Sequence, residues 1–394
     1  MRKLIILPGV CDTLGGTLIT LSLLIKGLEE CNAAERFCVL VRSGSIMENY
    51  LQQAGQGAYL QLISAKSKPE FLRHALQWVN QQPKDYPLLL DNCVERALLP
   101  TLLLAAPFLR LSGRPVYHFC HDLALSYNHL GYWLRKITFT CLAPQAMCNS
   151  RFTAGHIQRL MPNIRGILYQ PVDTQRFNNQ VSSTSPAPLQ PILKSGAKLI
   201  LTPSRISQPG MVNDKNLRAL IPVLAHLKAN GHFYHSVIVG EDPSPGQINT
   251  QALLEAAENA GVADCLTILP PTFAIEDYYK HASVVVTLAP REPFGRTVVE
   301  AIACGVPVIG STTGGIGEIL NHFAPEWMVD STDPKATAQT IVRVSTDPNT
   351  SKLLLKGSNW VESECSIINY AQKMIEITGL AVPNQTNLLS VMSI

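Results

Sequence analysis

The apolar positions of this 394-residue chain follow two spacings that alternate along its length. Short β-branched or leucine-rich runs, at residues 4–7 and 37–41 for example, are typical of buried strands. Residues 18–28 instead carry apolar side chains three and four positions apart, which predicts an amphipathic helix. Strands that alternate with helices indicate parallel sheets. Because the chain is longer than one core usually spans, we expect two doubly wound α/β domains.

The same patterns locate further elements. Strands are predicted at residues 58–63, 88–90, 199–201, 235–240, 266–269, 283–289 and 306–309, and a further strand begins at residue 115. Helices are predicted at residues 296–304, 339–344 and 359–377, and two more begin at residues 214 and 275. Polar residues follow two of these strands, namely Asp91-Asn92 and His121-Asp122. Ligands of open α/β sheets bind at the carboxyl ends of strands, so these residues are candidates for a site. His118 lies on the opposite strand face from His121 and is expected to face the core.

One stretch lacks either periodicity. Residues 178–197 are rich in Ser, Pro and Gln, which is typical of a linker. The sequence therefore predicts an N-terminal domain at residues 1–180, a linker at 181–197 and a C-terminal domain at 198–358. We expect the tail from residue 382 to be loosely ordered.

The region around residues 283–309 has the pattern strand, loop, helix, strand. Gly295 stands where the helix begins, and a helix N-terminus offers unpaired N–H groups and a positive dipole end to a phosphate. Glu292 precedes the helix and Glu300 lies one turn into it, where a carboxylate can accept hydrogen bonds from ribose hydroxyls. The pattern alone fits equally well an ordinary βα unit with one capping and one solvated glutamate.

Other loops hold further candidates. Gly15-Gly16, between the first strand and the first helix, would let backbone approach a ligand closely, or form a plain tight turn. The fingerprint G-x-G-x-x-G is absent, which disfavours a hydride-transfer enzyme. Arg205 and Lys215 are a basic pair that flanks a polar loop, and by themselves they could be two solvated cations.

Composition excludes several classes of protein. Hydrophobic residues are 46% of the chain and charged residues 15%, so it is globular rather than disordered. A net charge of +3 argues against a nucleic-acid partner but allows a polyanionic small ligand or loose contact with an anionic membrane. Ten cysteines without a C-x-x-C pair are interpreted as reduced, mostly buried thiols of a cytosolic protein. The basic, apolar N-terminus stops at Pro8-Gly9, so we interpret it as a strand rather than a signal peptide.

Glu292 and Glu300, together with Pro293-Phe294-Gly295, Ala301 and the segments 304–308 and 314–318, resemble the E-x7-E signature of retaining glycosyltransferases of family GT4. That resemblance implies the GT-B fold, in which two Rossmann-like domains face each other across a cleft. The nucleotide-sugar would bind mainly to the C-terminal domain and the acceptor mainly to the N-terminal one. The last helix, near residues 360–380, would pack back on the N-terminal domain.

The resemblance also assigns individual residues. Arg296 departs from the leucine that is common at this position in the family, and it could contact a donor phosphate, contact an acidic acceptor, or be exposed. Ser150 would cap a helix beside the donor. The implied donor site comprises Gly15, Gly16, Arg205, Lys215, Leu269, Pro270, Glu292, Phe294, Gly295, Arg296, Thr297 and Glu300, and the implied catalytic residues are His121, Glu292, Arg205 and Lys215.

The function implied is transfer of a hexose from a UDP-sugar to a glycan, lipid-linked or small-molecule acceptor, and glucose is taken as the hexose. The mechanism implied is a front-face reaction that retains the configuration at the anomeric carbon. No Asp-x-Asp motif occurs, so neither a metal nor another cofactor is expected. The expected location is the cytoplasm, with the inner face of the membrane as an option. Alternatives are a nucleotide-sugar epimerase, a phosphorylase-like enzyme, and a nucleotide-sugar-binding protein without catalysis. The oligomeric state is left open.

Overall fold

The structure, a computed structural model, describes residues 2–10, 12, 15–126, 128–180, 185–211 and 214–380. It divides into two compact units. The first runs to Pro171 and takes in the chain from Ser366 onward, and the second is Val172–Cys365. From the sequence, the N-terminal domain was predicted to end at residue 180 and the C-terminal domain to begin at residue 198. The tail from residue 382 and residues 181–184 of the predicted linker lie outside the described residues.

The first unit is built on a seven-stranded parallel sheet. Its strands are β1 (Leu4–Pro8), β2 (Phe37–Arg42), β3 (Leu60–Ile63), β4 (Leu88–Asp91), β5 (Val116–Cys120), β6 (Gln145–Cys148) and β7 (Ile164–Ile167). Its first helices are α1 (Gly16–Glu30), α2 (Ile46–Gln53), α3 (Lys68–Gln81), α4 (Leu99–Leu111), α5 (His129–Leu142) and α6 (Arg151–Ile157). The strand order is β3-β2-β1-β4-β5-β6-β7. Every residue of β1, β4 and β5 is buried, as expected for a parallel sheet covered on both faces.

The second unit repeats this architecture. Its strands are β8 (Lys198–Pro203), β9 (Tyr234–Val239), β10 (Leu266–Leu269), β11 (Val284–Thr287), β12 (Val308–Ser311) and β13 (Met328–Val329), all parallel, in the order β10-β9-β8-β11-β12-β13. Its helices are α7 (Gln190–Lys194), α8 (Leu220–Ala229), α9 (Ile248–Asn259), α10 (Ile275–His281), α11 (Arg296–Ala303), α12 (Gly314–Leu320), α13 (Pro334–Val344) and α14 (Thr350–Glu364). The predicted fold class, two doubly wound Rossmann-like domains, is confirmed.

Each sheet has one position where its strand order reverses. In the first unit β1 lies beside β4, and in the second unit β8 lies beside β11. The loops that leave two such neighbouring strands diverge to opposite sides of the sheet and open a crevice at the carboxyl ends. The order of the strands therefore fixes where each unit can bind a ligand.

Several predicted elements have different bounds. The helix predicted at residues 359–377 is two helices, because α14 ends at Glu364 and α15 (Ile367–Thr378) begins after Ser366, whose side chain accepts a hydrogen bond from the Asn369 N–H. The predicted linker contains α7, which buries Ile192. The helix expected from residue 214 begins only at Leu220, after a 3₁₀ turn.

The state of the cysteines and the apolar length of the helices can also be examined in the structure. The described cysteines are free thiols and most of them are buried, as expected, whereas Cys141 is exposed. Among the described residues, no helix is both long and apolar enough to cross a membrane.

Helix α15 packs against α1 at a glycine. A Cβ added to Gly27 would come within 2.6 Å of the Ile367 carbonyl oxygen and 2.8 Å of Ala371 Cβ. Both values are shorter than van der Waals contact, so the absence of a side chain at Gly27 sets how closely the two helices approach. The same test at Gly155, inside α6, finds no atom within 4 Å.

This contrast predicts opposite effects for one substitution at two helical glycines of the same unit. Gly155→Ala should stabilise the protein by up to about 1 kcal/mol through helix propensity. Gly27→Ala should instead destabilise it by about 1–3 kcal/mol, because the new methyl group forces α1 and α15 apart. Thermal unfolding of the two variants measures both effects. Equal stabilisation by both would contradict the close packing of α15 on α1.

Candidate active site

The first site lies where β8 and β11 are neighbours. Lys215 is in the loop that follows β8 and Glu292 is in the loop that follows β11, and their Nζ and Oε2 atoms are 2.5 Å apart. Both side chains are about three-quarters buried. The ion pair therefore joins two residues that are far apart in sequence at the crevice predicted by the strand order.

The Lys215 loop is fastened to the sheet by its neighbour. Asn216 adopts a left-handed backbone conformation with φ 54°, and its Nδ2 donates to the Leu288 carbonyl at 3.1 Å. The Lys215 N–H donates to the Ser207 hydroxyl at 3.2 Å. These two bonds fix the backbone on either side of the Lys215 side chain, so the ammonium group is held at the end of β11.

The start of α11 depends on glycine for a steric reason. Gly295 has φ 102°, a left-handed conformation that other residues rarely adopt, and an added Cβ would lie 3.0 Å from Ile316. The Gly315 N–H donates to the Glu292 carbonyl at 2.7 Å, and a Cβ on Gly315 would come 2.3 Å from the Phe294 carbonyl oxygen. The glycines at the start of α12 therefore let the loop 290–295 lie directly on that helix.

Glu300 lies inside the second unit rather than in solvent, with 8% of its surface exposed. The Tyr279 hydroxyl donates to its Oε2 at 3.0 Å, and Arg296 Nε lies 3.1 Å from its Oε1. Burial raises the pKa of Glu300, while Arg296 and the Tyr279 hydrogen bond act in the opposite direction. The carboxylate is thus oriented by two partners.

These contacts show what Arg296 pairs with and add Tyr279 to the candidate site residues. Arg296, whose role the sequence left open, pairs with Glu300 one turn along α11 and is mostly buried. Tyr279 was missed as a site residue, although its helix was predicted. Burial and the neighbouring Glu300 raise the pKa of Tyr279 well above its ordinary value, so it remains a hydrogen-bond donor at neutral pH.

The remaining predicted donor residues are spread more widely over the second unit. Arg205 is exposed, and no hydrogen bond or ion pair of its side chain appears within the described parts of the chain. Phe294 is buried, whereas Thr297 is half-buried in the first turn of α11. Leu269 and Pro270 stand at the end of β10, the edge strand, two strands away from β8. The structure thus brings Lys215 and Glu292 together just before the start of α11, and it places Arg205 on the surface after β8.

A second polar cluster lies at the strand ends of the first unit. His121 follows β5, and its Nε2 is 2.7 Å from Asp91 Oδ1 at the end of β4. The side-chain amide of Gln170 donates to His121 Nδ1 at 2.9 Å, so Nε2 carries the proton that faces Asp91. Only 6% of His121 is exposed, and both ring nitrogens have protein partners. The sequence identified His121 but missed the pairing with Gln170.

The neighbours of His121 are arranged as follows. Asp122 is exposed, and its carboxylate accepts from Asn92 Nδ2 at 2.8 Å. His118 is fully buried against Phe139, and burial lowers its pKa to about 3, so it is uncharged at neutral pH. His118 therefore belongs to the core, as expected. Asp122 is the acidic group that reaches the surface at this strand end.

The helix starts of the first unit are capped in different ways. Ser150 is buried and accepts a hydrogen bond from the Thr153 N–H at 2.9 Å, as expected of a cap of α6. Gly15 and Gly16 are exposed at the start of α1, and a Cβ at Gly15 would meet no atom within 4 Å. Gly15 has an extended backbone that any residue could adopt. The backbone conformation therefore does not require glycine at this position. Part of the loop before it lies outside the described residues.

The first unit also contains an open cavity of about 720 Å³ beside α5 and α6. Basic and aromatic side chains contribute to its wall, among them His129, Tyr132, Arg151, His156 and Arg159. Among the described residues that line the cavity, none is an aspartate or a glutamate. This wall favours a ligand that combines an anionic group with a ring or an apolar part.

Within the described part of the chain, no group of three or more His, Cys, Asp or Glu residues is placed to hold a metal ion. An ammonium group such as that of Lys215 and the free N–H groups of a helix start such as that of α11 are the kinds of group that bind phosphates.

Comparison with known proteins agrees with this geometry. Residues 193–358 match the model of the family described as glycosyl transferases group 1. A D-inositol 3-phosphate glycosyltransferase of Thermobispora bispora is 29% identical over 168 residues, which are 42% of this chain and 39% of that protein. The aligned part thus spans about two-fifths of the length of this curated relative.

Two solved structures resemble nearly the whole chain. Anabaena HepE in complex with UDP and glucose has a TM-score of 0.76 at 17% identity, with 96% of this chain and 100% of that chain covered. Sucrose-phosphate synthase from Thermosynechococcus elongatus has a TM-score of 0.69 at 17% identity, with 95% and 98% covered. The chain therefore has the GT-B fold, and its residues 193–358 match the glycosyl transferases group 1 family.

Proposed function

We propose that this chain is a retaining glycosyltransferase that moves a hexose, glucose by first choice, from a UDP-linked sugar to an acceptor. The acceptor is a glycan, a lipid-linked sugar or a small molecule, and the enzyme acts at the inner face of the membrane or in the cytoplasm. The observation that carries the proposal is the ion pair of Lys215 and Glu292 beside the start of α11. The group 1 family match and the UDP bound to Anabaena HepE support it.

The diphosphate of the donor is assigned to Lys215 and the start of α11. As the bond between sugar and phosphate breaks, negative charge grows on the leaving group, and a positioned cation stabilises that charge. Lys215 supplies a point charge, and Arg205, exposed after β8, supplies planar donors. No side chain needs to act as nucleophile in a front-face reaction, in which the leaving phosphate accepts the proton of the acceptor hydroxyl.

The two glutamates are assigned to hydroxyl groups of the donor. Glu292 Oε2 accepts a hydrogen bond from Lys215 Nζ. We assign its other oxygen, Oε1, to the sugar hydroxyls. Glu300 accepts from Tyr279, and a carboxylate has about four acceptor positions, so it can also accept from the ribose. Tyr279 and Arg296 hold Glu300 in one orientation, which lowers the entropy cost of binding the nucleotide.

The first unit is assigned to the acceptor. The cavity beside α5 and α6 has cationic and aromatic walls that fit an acceptor with an anionic group. His121 has both ring nitrogens engaged, so we assign it to positioning Asp122 and the loop that follows β5 rather than to proton transfer.

The donor is tested by thermal unfolding with UDP, GDP, ADP and their glucose and mannose derivatives, with and without EDTA. A ligand at 100 times its dissociation constant should stabilise the folded protein by about 2.7 kcal/mol. We expect UDP and UDP-glucose to raise the melting temperature equally with and without EDTA. A shift that EDTA abolishes would contradict metal-independent binding, and no shift with any nucleotide would contradict the donor site.

The pH dependence of donor affinity tests Glu300. The ionised carboxylate accepts two ribose hydrogen bonds, whereas the protonated form loses one acceptor. Because burial raises the pKa of Glu300 from its ordinary value of 4.5, affinity should begin to fall while the pH is still above that value. Calorimetric titration with UDP-glucose is suitable, because both of its phosphates are esterified and lack the second ionisation near about pH 6.

Glu300→Gln should bind UDP-glucose more weakly by about 1.5–3 kcal/mol at neutral pH and should lack the decline at low pH. Glu258→Gln, which changes an exposed carboxylate of the same unit, is the control. A decline that persists unchanged in Glu300→Gln would assign the titration to another group.

Turnover tests the two cations. Lys215→Ala and Arg205→Ala should each lower kcat by at least about tenfold, since each removes charge stabilisation worth about 1.4 kcal/mol or more in the transition state. Their unfolding temperatures should stay near that of the parent protein. Lys352→Ala, at an exposed position on α14, should leave kcat unchanged.

The readout is release of UDP from UDP-glucose, which detects slow hydrolysis even when the acceptor is not supplied. Normal turnover in both cation variants would contradict the diphosphate assignment. Binding of UDP-glucose without any release over a broad panel of acceptors would favour the nucleotide-sugar-binding protein.

A further inference from the structure

The first unit has an exposed apolar surface on two neighbouring helices. On α4, Leu104, Phe108 and Leu111 are spaced four and three residues apart, so they form one stripe. On α5, Leu130, Trp133 and Ile137 form a second stripe with the reverse spacing. These six side chains are between 49% and 88% exposed. We call them the α4–α5 face.

The two stripes lie on helices that pack against each other. Helix α4 packs against α5, and Arg110 Nη1 near the end of α4 donates to the Cys141 carbonyl near the end of α5. Trp133 is in edge contact with Tyr132, with ring centroids 5.8 Å apart. Six large apolar side chains on two packed helices form a patch, whereas single exposed apolar residues are scattered over most proteins.

The charge of the surrounding chain identifies what this face meets. The whole protein has a formal net charge of +3, yet the positive charge is concentrated rather than evenly dispersed. Residues 96–172 contain eight lysines and arginines and a single acidic residue, Asp122. Helices α4 and α5 carry Arg110, Arg135 and Lys136 and no carboxylate. Arg110, between Phe108 and Leu111, is exposed, whereas Arg114 is buried and Arg135 and Lys136 donate hydrogen bonds to the protein. The α4–α5 face is therefore an apolar surface on two helices that lack a carboxylate and present an exposed arginine.

We infer that the α4–α5 face docks the protein on a bilayer that contains anionic lipid, with the apolar stripes in the headgroup boundary and the basic residues on the lipid phosphates. Leucine, phenylalanine and tryptophan beside arginine and lysine are the composition of helices that lie in a membrane interface. Two helices without a carboxylate, with Arg110 exposed between two apolar side chains, suit an anionic partner. A second copy of the same face would instead bring like charges together.

The inference names the surface and the lipid class for the membrane contact included in the proposed function. It also links docking to the site. Helix α5 presents Trp133 to the surface and contributes His129 and Tyr132 to the wall of the cavity assigned to the acceptor. An acceptor carried on a lipid phosphate would thus meet the cavity and the docking face on the same helix.

The test is co-sedimentation of the full chain with vesicles of neutral phosphatidylcholine and with vesicles that include an anionic phosphatidylglycerol fraction, without nucleotide or acceptor. We expect binding to the anionic vesicles that weakens as salt is raised, and much weaker binding to the neutral ones. Tryptophan quenching by brominated lipid should accompany binding and should decrease in Trp133→Phe. Since no donor or acceptor is present, a failure here would leave the transferase proposal intact.

Substitutions separate the face from the rest of the surface. The double variant Phe108→Ser with Trp133→Ser should bind the anionic vesicles at least about tenfold more weakly. Arg110→Gln should bind about fivefold more weakly at low salt. The matched control is Phe233→Ser, which changes an exposed phenylalanine of the second unit and should bind like the parent protein. Circular dichroism and melting temperature confirm that each variant is folded.

Three results would overturn the inference. The first is absence of binding to anionic vesicles at low salt by folded parent protein. The second is equal weakening by Phe233→Ser and by the double variant. The third is a stable dimer in solution that the double variant dissociates, which would show that a second copy of the chain covers the α4–α5 face.

Discussion

The ion pair between Lys215 and Glu292 depends on the order of the strands in the second sheet. Lys215 follows β8 and Glu292 follows β11, and only the reversal of strand order makes these two strands neighbours. The left-handed residues Asn216 and Gly295 then turn each loop so that the charged groups meet. A parallel sheet with another strand order would leave the same residues on separate loops. The ion pair of the second unit therefore depends on the order of the strands as well as on the two side chains.

Glycine is as important to this site as the charged residues. The loop 290–295 lies directly on the start of α12, where the Gly315 N–H bonds to the Glu292 carbonyl. A side chain at Gly315 would overlap the Phe294 carbonyl, so the carboxylate of Glu292 would be displaced from Lys215. Glu300 is held differently, by Arg296 on its own helix and by Tyr279 from α10. One glutamate is thus positioned by backbone contact and the other by side chains.

The two units differ in how far their polar groups at the strand ends are enclosed by the protein. In the first unit, His121 is enclosed between Asp91 and Gln170, and the groups that reach the surface nearby are Asp122 and the basic residues around α5. In the second unit, the ion pair itself lies at the crevice. This difference is in line with the proposed roles, in which the second unit would bind the charged donor and the first would bind the acceptor.

The sequence alone determined the fold class and most strands, because buried parallel strands appear as short apolar runs whose pattern is local. It also named Glu292, Gly295, Glu300 and Lys215 as candidate site residues, since these lie in a segment with a strong family resemblance or beside a predicted strand end. Contacts between distant segments could not be deduced in this way. The pairing of Lys215 with Glu292, of Tyr279 with Glu300 and of Gln170 with His121, and the junction of the two apolar stripes on α4 and α5, became visible only in the tertiary structure. Each of these contacts joins residues on different elements, and the distance between such residues is set by sheet order and helix packing, which no local pattern records.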